Sequence, residues 1–574
     1  MARASRTPSP LRRGATLVAV LVVLGLVVVA GTLLRTQQPD AREVVTVQGG
    51  KADAICTVGD VSSSANASPT PGTSSSAPVT PTPAPSVPIT PVPSVPVTPA
   101  PSVPVTPVPS VPVTPVPSVP VTPAPSIPVT PGATPGAVPS ATPLPSGSGA
   151  GTTGDVTVVA SGAVDPSSTP SDGRVTLGPL GGGQAGVTVD RQGRGATLQR
   201  AGSPVLLQAE GSIAPTAVGA VLSTVDDGPE AGLEAAPCLV ASTSAWLPGI
   251  ASGPSDRTEL VLSNPDDAGA TVDLTFYGRN GRVAVPGSPG VDVPPRASRS
   301  VSLSGLVDAE GPLTVAVEAT TGRVAAAARR IRTADDQPAG ADWVVPATAP
   351  TTQLVVPAVP GDDGTRELVV TNPGELRTTV NVSVLGLQGP FAPAGAETLD
   401  LPPQSSGTLQ LADGLAGTGS GVALTSEQPV TAAVVSTSAR SGAQADIAVQ
   451  PATPALVRSG VSAVATARDT DAELVLSNAA TTDVSVRFSL RSLDGVEVRG
   501  GDILLAAGGT ATRRLAAPGS GYVVVTVPDG SSVTGGVDLV QGEGAVAGLA
   551  SLPLVSPDTS GPPPVVEQDP GAGR

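Results

Sequence analysis

The chain has 574 residues, of which 40% are hydrophobic but only 1% aromatic, with 66 prolines, 67 glycines and a net charge of −16. That length exceeds what one core can fill and predicts three to four domains whose interiors are built from Val, Leu, Ile and Ala. There is no histidine, which removes His-based triads, His general bases and most zinc sites, and the acidic excess repels phosphate backbones, so nucleic acid is not an expected partner.

Residues 1–13 carry Arg3, Arg6, Arg12 and Arg13 and no acid, and Gly14–Leu34 is an uncharged run rich in Val and Leu. As a helix rising ~1.5 Å per residue, that run spans ~30 Å, enough for a bilayer. The arginines before it predict a basic cytoplasmic tail, a signal anchor over 14–34 and an extracytoplasmic remainder. A cleavable signal peptide is the competing reading, but the apolar run is long for one, and Val28-Val29-Ala30 is a poor cleavage site buried inside it.

Residues 62–153 are dominated by Pro, Ser, Thr and Val, with an octad whose serines recur at Ser86, Ser94, Ser102, Ser110, Ser118 and Ser126. Proline fixes φ and removes backbone donors, so this segment is expected to be disordered or polyproline II, either a plain spacer or a hydroxyl-rich rod open to O-glycosylation.

Beyond it a phrase recurs: Glu259-Leu-Val-Leu-Ser-Asn264, Glu367-Leu-Val-Val-Thr-Asn372 and Glu473-Leu-Val-Leu-Ser-Asn478. The asparagines stand about 107 residues apart, the size of one small domain. Each phrase leads through a turn into an alternating strand, such as Val272-Asp-Leu274-Thr-Phe276, the period of a half-buried strand. A closing pattern, read as a hairpin, appears four times, at Ser203–Val221, Gly311–Ala328, Gly421–Ser438 and Gly521–Val540. The expected fold is therefore all-β, a tandem array of about four antiparallel immunoglobulin-like β-sandwich domains after one transmembrane helix and a disordered Pro-rich segment. Its units are 42–61 together with 154–237, then 246–333, 343–440 and 447–555, with a disordered tail at 556–574. The first unit lacks the recurrent phrase, and the Val-rich stretch Glu43–Asp60 is the candidate to fill that strand position, which makes the proline segment an insert within this unit. Cys56 and Cys238 would then tie its two ends in a disulfide; free thiols or pairing between chains are the alternatives.

The phrases Ser244-Ala-Trp246-Leu-Pro-Gly, Glu259-Leu-Val-Leu-Ser-Asn-Pro-Asp-Asp, Tyr277-Gly and Gly340-Ala-Asp-Trp343-Val-Val-Pro-Ala resemble the actinobacterial domain of unknown function 5719. The resemblance covers roughly 42–555 outside the proline insert. It implies a secreted or membrane-anchored protein and supplies no catalytic residue.

No motif points to an enzyme. Gly181-Gly-Gly183-Gln-Ala-Gly186 matches a dinucleotide-binding spacing, but a strand pattern follows where a helix is required, so it reads as a loop. The pairs Asp226-Asp227, Asp266-Asp267, Asp335-Asp336 and Asp362-Asp363 suit solvated turns, with calcium between domains as the other reading. No catalytic, cofactor-binding or metal residues are assigned. Trp246 and Trp343 are expected to wedge neighbouring domains, and Asn264, Asn372 and Asn478 to shape the repeat turns. The expected function is non-catalytic: surface interaction, adhesion or envelope scaffolding, with an envelope protein as the possible partner. The alternatives are a binding module for cell-wall glycan or an accessory subunit of an envelope-biogenesis enzyme.

Overall fold

The computed structural model describes residues 50–58, 154–161 and 173–557, apart from short gaps within the last range. The described residues fall in one compact unit. The expected anchor at 14–34, the proline segment and the tail beyond 557 lie outside them.

Four pairs of sheets follow in the compact unit. The first joins β4 (Val187–Val189), β3 (Gly173–Pro179), β6 (Val205–Gly211), β1 (Lys51–Cys56) and β9 (Leu239–Val240), in that order, over β5 (Gly195–Ala201), β2 (Gly154–Ala160), β7 (Ala217–Val225) and β8 (Gly232–Pro237). The second sets β10 (Ser244–Ala251), β16 (Pro312–Thr321), β12 (Ala270–Gly278) and β13 (Gly281–Val283), with β14 (Val291–Val293) also on β12. Its other sheet is β15 (Ala297–Ser302), β11 (Asp256–Asn264), β17 (Ala325–Ala334) and β18 (Gln337–Val344). In the third, one long strand, β25 (Ser420–Thr437), serves both layers. Its first half pairs β19 (Thr351–Val359) and β21 (Thr378–Gly386), which carries β22 (Gly389–Phe391) and β23 (Thr398–Leu401). Its second half pairs β20 (Arg366–Asn372) and β26 (Ile447–Pro451), with β24 (Ser405–Gln410) beyond β20. The fourth has β27 (Ser459–Val464), β32 (Gly521–Thr526), β29 (Val484–Ser492) and β30 (Glu497–Leu505) over β31 (Thr510–Leu515), β28 (Thr470–Asn478), β33 (Val533–Gln541) and β34 (Leu549–Pro553).

The ladders between these strands are antiparallel, and each core is filled from both layers. In the first, Cys56, Val156, Val158, Val175 and Leu207 meet. The only helical element among the described residues is a 3₁₀ turn at Ala214–Thr216. The layered, all-β reading therefore holds, but three details of the expectation change.

First, the closing pattern is not a hairpin. The segments β16 and β17 pair with different layers, and in the third sandwich the corresponding stretch is continuous as β25. In an immunoglobulin sandwich the last two strands are neighbours in one sheet; here the chain crosses to the other sheet between them.

Second, the strand that stands where the recurrent phrase stands elsewhere is not Glu43–Asp60. β2 lies between β5 and β7 as β11 lies between β15 and β17, whereas β1 lies beside β6 as β10 lies beside β16. Register cannot be read where the marker phrase is missing, because two Val-rich candidates fit the same alternation.

Third, the units do not form an open string. The last strands of the four sandwiches, β8, β18, β26 and β34, pack in a closed circuit, each against two of the others. The fourth core contains Ala220, Leu222, Leu233 and Ala235 of the first, and Tyr522 donates its Oη proton to the Gly193 carbonyl at 2.6 Å. A strand enclosed on both faces needs a nearly continuous apolar run, and β8, β26 and β34 are buried almost throughout.

Candidate functional site

The chemically unusual place in this molecule is the centre of that circuit. Asp446, wholly buried, sits just before β26 with its carboxylate among the four inner strands. Oδ2 accepts the Leu233 N–H at 2.7 Å and the Leu549 N–H at 3.0 Å; Oδ1 accepts from Ile447 at 2.9 Å and from Ala341 at 3.3 Å. One side chain thus binds a backbone donor from each of the four sandwiches. The approach is possible because the facing positions are small. A Cβ on Gly232 would lie 2.6 Å from Asp446 Oδ1, and one on Gly340, whose φ is +108°, would lie 2.5 Å from it. Burial pushes the Asp446 carboxyl up to about 8, against the downward pull of the four N–H groups.

A second buried acid, Asp342 on β18, accepts the Val449 N–H at 2.8 Å and the Ala235 N–H at 3.3 Å. Burial raises it well above the carboxylate range, and the nearby Asp446 raises it further. Neither acid was singled out from the sequence. The available signal was an aspartate between apolar residues in or just before a terminal strand, in Ala341-Asp342-Trp343 and Ala445-Asp446-Ile447.

The seams between sandwiches are polar in places. Arg329, opposite Glu259 on the outer face of β17, reaches into the first sandwich, with Nε 2.9 Å from Glu234 Oε2 and Nη1 2.8 Å from Glu230 Oε2. Burial opposes the charge on Arg329, but the two carboxylates hold its pKa above the usual value. Burial likewise opposes the Glu230 carboxylate, which Arg329 and Arg257 nonetheless hold below its usual range. In the fourth sandwich the same register position, opposite Glu473, is Asp538. It accepts a hydrogen bond from Ser551 at 2.8 Å. The shorter side chain lines a cleft of about 340 Å³, with Pro360, Gly361, Asp471, Glu473 and Arg514 among its walls. Arg514 is paired with Asp471 at 2.5 Å. Among the described residues no group of three or more Cys, Asp or Glu side chains is arranged to hold a metal ion.

The residues marked from the sequence fall in three kinds of place. Cys56 and Cys238 are joined in a disulfide. Beside it, Ile55 pairs with Leu239, and the other sandwiches have only a backbone bridge there: Trp246 with Ala347, Val355 with Thr453 and Val461 with Val555. Trp343 is buried between the first and second sandwiches against Ala236, Val261 and Ala327. Trp246 is half-buried and stacks on Tyr277 of its own sandwich, ring centroids 5.7 Å apart.

Asn264, Asn372 and Asn478 are wholly buried and make the same three bonds each. Oδ1 accepts the N–H two residues on, at 2.9, 3.0 and 3.0 Å. Nδ2 donates to the carbonyl four residues on, at 2.7, 2.7 and 2.8 Å, and to a more distant carbonyl, that of Val293, Pro402 or Ala506. They are turn staples. Of the acidic pairs, Asp266 and Asp267 bind Arg323 and Arg296; each of the others includes residues outside the described set. Where it is described, Gly181–Gly186 is a loop leading into β4.

These features define an all-β protein of antiparallel sandwiches whose buried acids bind backbone donors of neighbouring sandwiches. A family model described as "Family of unknown function (DUF5719)" matches residues 187–518, and the chain belongs to that family. No curated protein matches. Among solved structures, a Streptomyces avermitilis alpha-L-rhamnosidase complexed with L-rhamnose is similar over 66% of this chain and 54% of its own, at 13% identity and a TM-score of 0.10. A likeness that slight carries no argument.

Proposed function

We propose that the chain is a non-catalytic, membrane-anchored protein whose folded ring lies outside the cell membrane, where it acts in surface interaction, adhesion or envelope scaffolding. The observation that supports this best is the ring itself. Its innermost strands and its most buried acids are engaged in holding four sandwiches together, and the first sandwich takes strands from both sides of the Pro-rich segment, β1 before it and β2 after it. That arrangement suits a stiff body carrying a long Pro-rich excursion. The anchor is residues 14–34; among the described residues no helix is long and apolar enough to cross a membrane. A glycan-binding reading would rest on exposed aromatic rings; Trp343 is only 3% exposed, while Trp246 is half-buried and Phe391 is 40% exposed.

Proximity labelling from a tag near residue 557 in living cells tests the reading. Envelope proteins or wall-synthesis enzymes among the labelled neighbours are the expected result, and a purely cytoplasmic set would overturn it.

A further inference from the structure

The first sandwich differs from the other three in one covalent respect. In the second, β10 runs into β11 through the short turn Ser252–Ser255. In the first, the equivalent strands β1 and β2 are separated by residues 57–153. The strand β1 is an interior one, paired along its whole length to β6 and on its other side to β9. Ala54, Ile55, Cys56 and Val58 are buried with it. Cys56 lies two residues before Val58, the last described residue before Gly154. Cys238, immediately after β8, is attached to the inner circuit of the ring.

We propose that the Cys56–Cys238 bond is a retention latch, which keeps residues 1–58 joined to the ring when the chain is broken anywhere within 59–153. While the chain is intact, β1 docks as a tethered segment at an effective concentration of up to about millimolar. A break turns docking into a bimolecular association of one short strand, which bears the full loss of translational and rotational freedom. Such a strand dilutes away at micromolar protein unless a bond holds it. The other sandwiches have no such gap between these two strands, and a backbone bridge suffices at the same place. The latch does not depend on residues 14–34 crossing a membrane; if they do, it keeps the ring at that membrane after a cut.

The test uses the full chain with a site-specific protease recognition sequence placed within 59–153. It is cut to completion at micromolar concentration and passed over gel filtration in native buffer, with both fragments identified by mass spectrometry. The oxidised protein is expected to elute with its two fragments together. After treatment with a dithiol reductant, the N-terminal fragment in the ring peak is expected to fall at least tenfold. Cys56→Ala with Cys238→Ala should lose it without reductant; should that variant not fold, reduction of the already folded protein gives the same reading. Separation of the fragments in the oxidised protein, or their continued co-elution after full reduction, would overturn the proposal.

Discussion

Asp446→Ala removes the one acceptor group shared by all four sandwiches. Its four bonds run from Leu233, Ala341, Ile447 and Leu549, at 3.3 Å for Ala341 and 2.7–3.0 Å for the other three. A buried N–H left without a partner costs about 1–3 kcal/mol. Three firm bonds and one long one therefore put the gross loss at roughly 4–9 kcal/mol. Relief of the burden of burying a carboxyl group offsets part of this, leaving a net loss on the order of 3–6 kcal/mol. For a cooperative unit larger than 250 residues, 1 kcal/mol moves Tm by about 1–2 °C, so the midpoint should fall by roughly 3–12 °C. Asp446→Asn keeps the volume but turns one acceptor oxygen into a donor, so it should fall between wild type and Ala. Thermal unfolding followed by circular dichroism measures both. If the Ala variant melts within 1 °C of wild type, or the Asn variant melts lower than Ala, the Asp446 carboxyl group is not what holds the centre of the ring.

The same group predicts a pH dependence. With the folded pKa raised to about 8 from the ordinary aspartate value of 3.8, the native state holds a proton that the unfolded state has released between those values. Stability contributed by this group should therefore fall as pH rises from about 4 to 8, by up to about 1.4 kcal/mol per pH unit. Denaturant midpoints at pH 5 and pH 8 should differ more for wild type than for Asp446→Asn, and equal differences would contradict the assignment. Arg329→Met strands the buried Glu234 carboxylate and should cost about 3–5 kcal/mol, while adding Glu234→Leu should recover most of it; a double-mutant cycle on urea midpoints checks this. Asn372→Ala removes the three bonds that a wholly buried side chain makes to its turn and should cost about 2–4 kcal/mol, with Asn264→Ala and Asn478→Ala alike within about 1 kcal/mol. A loss below 0.5 kcal/mol at any of the three would show that the staple is dispensable there.

Much of the architecture was legible from residues alone, because its causes are local. Period-two alternation marks a half-buried strand wherever it occurs, and an asparagine closing such a strand before a turn finds two of its three partners within four residues. Even the near-absence of aromatics foretold cores of Val, Leu and Ala, such as Val156, Val158 and Leu207 in the first sandwich. With only two cysteines in the chain, an intramolecular pair could only be Cys56 with Cys238.

What depends on distant encounters was not legible. Both β1 and β2 satisfy the same alternation, so only pairing with β6 or with β5 and β7 decides which plays which part. The crossing of the chain between sheets at β16 and β17 looks like a hairpin in sequence, because period two records burial and not partner. Ring closure is farther still from any local pattern. It depends on Leu233, Ala341, Ile447 and Leu549 presenting N–H groups to one carboxylate, and on Gly232 and Gly340 leaving room for it. The sequence alone determined the strands and their turns; the tertiary structure decided which strands meet, since side-chain periodicity is a property of one strand and a closed circuit is a property of four.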